Sequence, residues 1–145
     1  MNNKVVIVRG SVISGIGVGH KYVSIPYYKN LLSSLLDGEE PYPGTLNIRV
    51  NLTYKELSNL CKPNEVPSKV IEGKRYGGFI YWKGKIKTVP SIGSSKQVIV
   101  PKVLILRPHL SRHEDNVLEI VSHEHLRSKL SLRDGDTLEI VIMCK

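Results

Sequence analysis

Residues 117–143 read VLEIVSHEHLRSKLSLRDGDTLEIVIM, and this stretch decides the class of fold. VLEIVS is a short apolar run and reads as a strand, HEHLRSKL as a short helix, RDGD as a turn and TLEIVIM as a closing strand. The same alternation of strand and turn recurs upstream. KVVIVRGSVISG (residues 4–15) is a β-branched core strand ending in glycines, and a short YVSI strand follows the next loop. KVIEG, YGGFIYW, KIKTVP and QVIVPKVLIL are further strand-like runs, with Lys83 and Gly84 suited to a hairpin turn between the second and third. Helical signals are fewer. Pro26 opens a segment to Leu36 with apolar residues at Tyr28, Leu31, Leu32, Leu35 and Leu36, the pattern of one amphipathic helix. LTYKELSNL carries the Thr53 to Glu56 spacing of a capping box and suits a short helix. Strands outnumber helices, so the expected class is mainly β with a few helices, a small barrel with two or three helices laid on it.

With 145 residues, 41% of them hydrophobic and 23% charged, residues 1–145 are expected to form a single domain with a core that needs no staples. No apolar run approaches membrane-spanning length, and MNNKVVIVRG lacks the hydrophobic region and cleavage site of a secretion signal. A soluble, cytoplasmic monomer with no membrane partner is the expectation. Cys61 and Cys144 are too few and too far apart for a zinc ribbon or a disulfide framework, and read as incidental thiols. His109 and His113 are spaced to share a helix face, and His123 and His125 a strand face. SHEHLR is not the HExxH motif, however, and no cysteine pair accompanies it, so surface or substrate-side histidines are favoured over zinc.

The net charge of +8 is unevenly placed. From Lys69 to Arg107 nine Lys or Arg stand against the single Glu72, while the rest of the chain carries twelve of each sign. Such a segment suits either phosphates, nucleic acid or another anionic ligand, or simply the solvated faces of hairpins.

Two motifs carry candidate chemistry. GIGVG (residues 15–19) follows the first strand, and glycines let backbone N–H groups approach an anion closely, with His20 and Lys21 as donors beside them. The spacing is neither GxGxxG nor GxxxxGK[ST], and no helix is expected to follow at once, so a tight turn and a phosphate loop both remain readings. In EPYPGTLNIRV (residues 40–50), strand periodicity puts the Thr45 hydroxyl and the Asn47 amide on one face. Two neutral oxygens are adequate ligands for magnesium when ligand phosphates supply the charge. Local caps to the turn and to a neighbouring backbone explain the pair equally well.

Taken in order, SGIGVGHKYVSIPYY, EPYPGTLNIRV and VLEIVSHEHLRSKLSLRDGDTLEIVI resemble the archaeal CTP-dependent riboflavin kinases. The resemblance covers about residues 10–50 and 107–142 and thins between them, with PYPGTLN its most specific part. It implies a six-stranded cradle-loop β-barrel that transfers the γ-phosphoryl group of CTP to the 5′-hydroxyl of riboflavin, giving FMN and CDP. By the same resemblance Gly15, Ile16, Gly17, Val18, Gly19 and His20 hold the nucleotide, joined by Glu124, His125, Leu126 and Arg127. Thr45 and Asn47 correspond to Mg²⁺ ligands, and Ser111 and Glu119 to flavin contacts. Glu119 is the carboxylate to orient or deprotonate the acceptor hydroxyl, or else to serve only as a flavin hydrogen-bond acceptor. Val18 stands where an acidic residue is usual, and Ser111 replaces a threonine while keeping a hydroxyl. Two other readings compete. A nucleic-acid-binding barrel of the transcription-regulator type suits the basic segment but leaves PYPGTLN without a purpose, so no nucleic-acid partner is expected. A flavin- or nucleotide-binding protein without turnover would share the pockets.

Overall fold

The structure, a computed structural model, describes residues 4–15, 18–89 and 96–145. Nine strands and four helices occur among them: β1 (Val5–Ile13), α1 (Val18–Val23), α2 (Pro26–Leu35), β2 (Leu46–Val50), α3 (Tyr54–Leu60), β3 (Asn64–Val66), β4 (Lys69–Ile71), β5 (Lys74–Tyr76), β6 (Phe79–Thr88), β7 (Ile99–Pro108), β8 (Val117–Val121), α4 (Leu126–Lys129) and β9 (Thr137–Met143). The strands run antiparallel in the order β3-β6-β7-β8-β2-β1-β9, and β9 pairs back onto β6. Six strands therefore close into a barrel, with β3 as one extra strand on β6 and β4–β5 as a separate hairpin. The mainly β expectation holds.

Strand alternation sorts side chains between the lumen and the outer wall. Ile48, Val50, Trp82, Ile86, Ile105, Leu118, Ile120, Leu138, Ile140 and Ile142 fill one buried cluster in the barrel. Leu104, Leu106 and Val121 face the other way and form a second cluster with Val23, Leu32 and Leu36. Here α2 lies on the outer wall, and full burial of Leu32 and Leu36 contributes about 1.5–3 kcal/mol each. The Thr53 capping box is present, Glu56 N–H donating to the Thr53 hydroxyl at 3.1 Å and the Thr53 N–H to Glu56 at 3.0 Å.

Several local readings give way to packing. Lys83 and Gly84 form no turn, because Phe79–Thr88 runs through them as one strand, β6. Gly84 is where that strand shifts register against β7 while also pairing with Ile142 of β9. A Cβ there would collide with the Val141 carbonyl oxygen and the Ile105 side chain, so glycine permits the closure. YVSI is not a strand: α1 follows the glycine loop at once, since burying Val23 in the outer cluster outweighs a local β preference. His109 and His113 lie on the loop after β7 rather than on a helix, and His123 and His125 precede α4 rather than sharing a strand. Cys61 and Cys144 are not free thiols. They form a disulfide that joins the end of α3 to the residue after β9, a pairing invisible at a separation of 83 residues. No helix among the described residues is long and apolar enough to cross a membrane.

Candidate active site

The site lies on the outer wall of the barrel, where β2 and β8 run side by side. Leu46 and Ile48 point into the lumen, so Asn47 between them points out; Leu118 and Ile120 do the same for Glu119. Asn47 and Glu119 are Cα partners across the β2–β8 ladder, each 5% exposed, and Leu106 of β7 continues the row. Two polar side chains thus face one another in an otherwise apolar wall.

Helix α1 covers that wall. A Cβ at residue 19 would overlap the Thr45 hydroxyl, so Gly19 lets the helix backbone rest on it. One residue on, His20 Nδ1 lies 2.7 Å from the Pro43 carbonyl oxygen, and the Tyr22 hydroxyl donates to Glu119 Oε1 at 3.0 Å. Burial drives the Glu119 pKa up, opposed by the Tyr22 and Thr45 hydroxyls and by the charge of Arg107. Burial followed by the Glu119 charge likewise pushes the Tyr22 phenol well above its ordinary range. Asn47 Oδ1 is fully buried and accepts no hydrogen bond. Leaving such an oxygen unpaired costs about 1–3 kcal/mol, which marks it as a group waiting for a partner.

A cavity of about 480 Å³ opens over this wall. It collects Gly15, Gly19, His20, Thr45, Asn47, Ser111, Glu119, Glu124, His125, Leu126 and Arg127 from five separate parts of the chain. Of the remaining sequence-derived candidates, Ile16 and Gly17 lie outside the described residues, and Val18 begins α1. Arg127 donates to the Ile13 carbonyl oxygen at 3.1 Å and to Asp134 at 2.6 Å, and Asp134 also accepts from Ser14. These two hydrogen bonds, Ser14 first, hold the Asp134 carboxyl below the usual carboxylate range. Asp134 of the RDGD turn, together with Arg127, therefore anchors Ile13 and Ser14, the residues that lead into Gly15. Ser111 accepts from the His113 N–H at 3.2 Å on the loop after β7. Burial, then Arg107 and Arg49, lower the His113 pKa.

Sequence reasoning missed the aromatic walls. Tyr22, Tyr28 and Tyr42 line the same cavity. Tyr42 stacks on His125 at 4.4 Å and 16°, while the Tyr28 hydroxyl donates to the Gly77 carbonyl oxygen at 2.8 Å. Tyrosine spacing in the chain holds no signal for this, because α1, α2 and the 37–45 loop meet only in the folded state. Conversely, none of the nine cations between Lys69 and Arg107 lines the cavity. Lys83 and Lys85 are exposed on β6, and Arg107 is buried, donating to the carbonyls of His113, Glu114 and Val117. Among the described residues no group of three or more His, Cys, Asp or Glu is placed to hold a metal ion.

A family model labelled CTP-dep_RFKase, described as "Domain of unknown function DUF120", matches residues 12–142. The chain belongs to the CTP-dependent riboflavin kinase family. Three similar proteins from archaea are each named riboflavin kinase. That of Sulfurisphaera tokodaii is 36% identical over 146 residues, 98% of each chain. That of Staphylothermus marinus is 34% identical over 92% of this chain and 89% of its own length. That of Sulfolobus acidocaldarius is 33% identical over 97% and 83%. The match to the CTP-dependent riboflavin kinase family includes the middle of the chain, where the resemblance of individual motifs thins. That region supplies β6 and β7, two staves of the barrel.

Proposed function

We propose that the protein is a riboflavin kinase that uses CTP, transferring the γ-phosphoryl group to the 5′-hydroxyl of riboflavin to give FMN and CDP. The observation that carries this reading is the meeting, in one cavity, of Gly15 and Gly19, the Thr45–Asn47 pair and the buried Glu119. Family membership and the names of the relatives support it.

Phosphoryl transfer passes through a loose transition state, so positioning and charge stabilisation are the protein's main tasks. Backbone N–H groups at Gly15 and Gly19 hold the triphosphate, and Arg127 braces the end of β1 before them through Ile13 and Asp134. The acceptor oxygen forms a bond to the γ-phosphorus as the bond from that phosphorus to the β,γ-bridging oxygen breaks. Glu119 orients the 5′-hydroxyl and takes its proton, a role aided by the burial that raises its pKa. Ser111 and the Tyr28 ring hold the flavin.

The donor set fits Mg²⁺. Asn47 Oδ1 is a buried oxygen with no partner, the Thr45 hydroxyl lies two residues before it, and neutral oxygens suit a cation that shares its shell with phosphates and water. When bound, the ion would neutralise charge on the transferring group. Incubation of purified protein with riboflavin, Mg²⁺ and either CTP or ATP, with FMN and nucleoside diphosphate measured by chromatography, tests the reading. FMN with CDP, and faster turnover with CTP than with ATP, is the expected result. No FMN with any nucleotide and metal would overturn the kinase, and ATP outperforming CTP would overturn the donor.

A further inference from the structure

Helix α1 spans only six residues, yet it touches both sides of the pocket. Gly19 rests on Thr45 and His20 reaches Pro43, both beside the glycine loop, while Tyr22 reaches Glu119 on the opposite strand. The Tyr22 ring is itself held, edge-on to Tyr28 at 5.7 Å and 73°, with the next residue, Val23, buried in the outer cluster. A glutamate projecting from a strand has three rotatable bonds, and nothing in an apolar wall selects among its orientations unless a donor pins one oxygen. The 3.0 Å hydrogen bond from Tyr22 to Oε1 does so, and Glu119 itself lines the cavity.

We propose that Tyr22 is a positioning residue. Its hydroxyl fixes the Glu119 carboxylate toward the acceptor, and because Gly19 and Tyr22 stand on one helix, the same element packs against Thr45 and holds the acceptor carboxylate. This inference rests on the kinase reading. A tyrosine that served only packing would tolerate phenylalanine, which keeps the ring, the volume and the contact with Tyr28.

The test compares Tyr22→Phe, Glu119→Gln and the double variant in steady-state assays with riboflavin, CTP and Mg²⁺. Tyr22→Phe should lower kcat about 10- to 100-fold, the effect of losing one hydrogen bond to a charged group, with both KM values within about twofold of wild type. Its Tm should fall by no more than about 10 °C, the cost of leaving the buried Oε1 without its donor, while its riboflavin affinity, read by flavin fluorescence quenching, should match wild type. The double variant should be no slower than Glu119→Gln alone, because the hydroxyl acts through that carboxylate. Wild-type kcat in Tyr22→Phe, losses that multiply in the double variant, or a rise in KM in place of the fall in kcat would each overturn the assignment. Absence of FMN from the wild-type protein would instead overturn the kinase reading itself.

Discussion

The β2–β8 wall and the β6–β9 seam are both antiparallel ladders of one barrel, and they treat polar side chains in opposite ways. At the seam, Lys83 and Lys85 project into solvent where charge costs little, and the backbones close tightly over Gly84. On the wall, Asn47 and Glu119 are buried opposite one another, and one of them holds an oxygen with no partner. Burying polar atoms without full satisfaction opposes folding. The difference teaches that the wall is shaped for a ligand and the seam for the barrel.

Substitutions that exchange these properties sharpen the contrast. The largest effect is expected on the wall: Asn47→Leu should cut FMN formation by about 10²- to 10³-fold while the Tm holds or rises, since a buried unpaired oxygen is removed. Full activity in that variant would move the cation site elsewhere. Behind the seam, replacing Cys61 and Cys144 together by alanine should lower stability by about 3–4 kcal/mol in urea denaturation, because a long loop of the unfolded chain is released. Gly84→Ala should cost about 1–3 kcal/mol in the same assay through its collision with the Val141 carbonyl, without altering the KM for either substrate.

A smaller effect concerns pH. Asp134 has a folded pKa below its unfolded value, so its contribution to stability is present above the unfolded value, about 3.9, and fades as pH falls through the folded value. Asp134→Asn should therefore melt below wild type at pH 7, and that gap should narrow at about pH 3 in calorimetry. The smallest effect belongs to the seam's surface: neutralising the exposed Lys83 and Lys85 and the half-buried Lys87 should change kcat by less than about twofold, as surface charges away from the cavity do little. A large loss of turnover would show that the lysine row guides an anionic substrate.

The legible features were those with local causes. The capping box at Thr53, the helix from Pro26 and the closing strand after RDGD each depend on neighbours within a few residues. Asn47 was legible because strand periodicity sets its face on β2, whereas Thr45, read as opening that strand, stands just before it and joins Asn47 in the same cavity. The site proved more extensive than its motifs. Tyr22 was read in a strand, yet it is delivered to Glu119 by a helix, and Asp134 was read as a turn residue, yet it binds Arg127 and Ser14 beside the glycine loop.

The sequence by itself determined the mainly β class, the positions of the amphipathic helices and the family, because alternation, caps and turn chemistry act over short spans. Only the tertiary structure decided that Lys83–Gly84 runs straight through, that Cys61 meets Cys144, and that Asn47 faces Glu119 under Tyr22. Each of those outcomes depends on strands distant in the chain closing into one barrel, where burial and backbone approach override local preference.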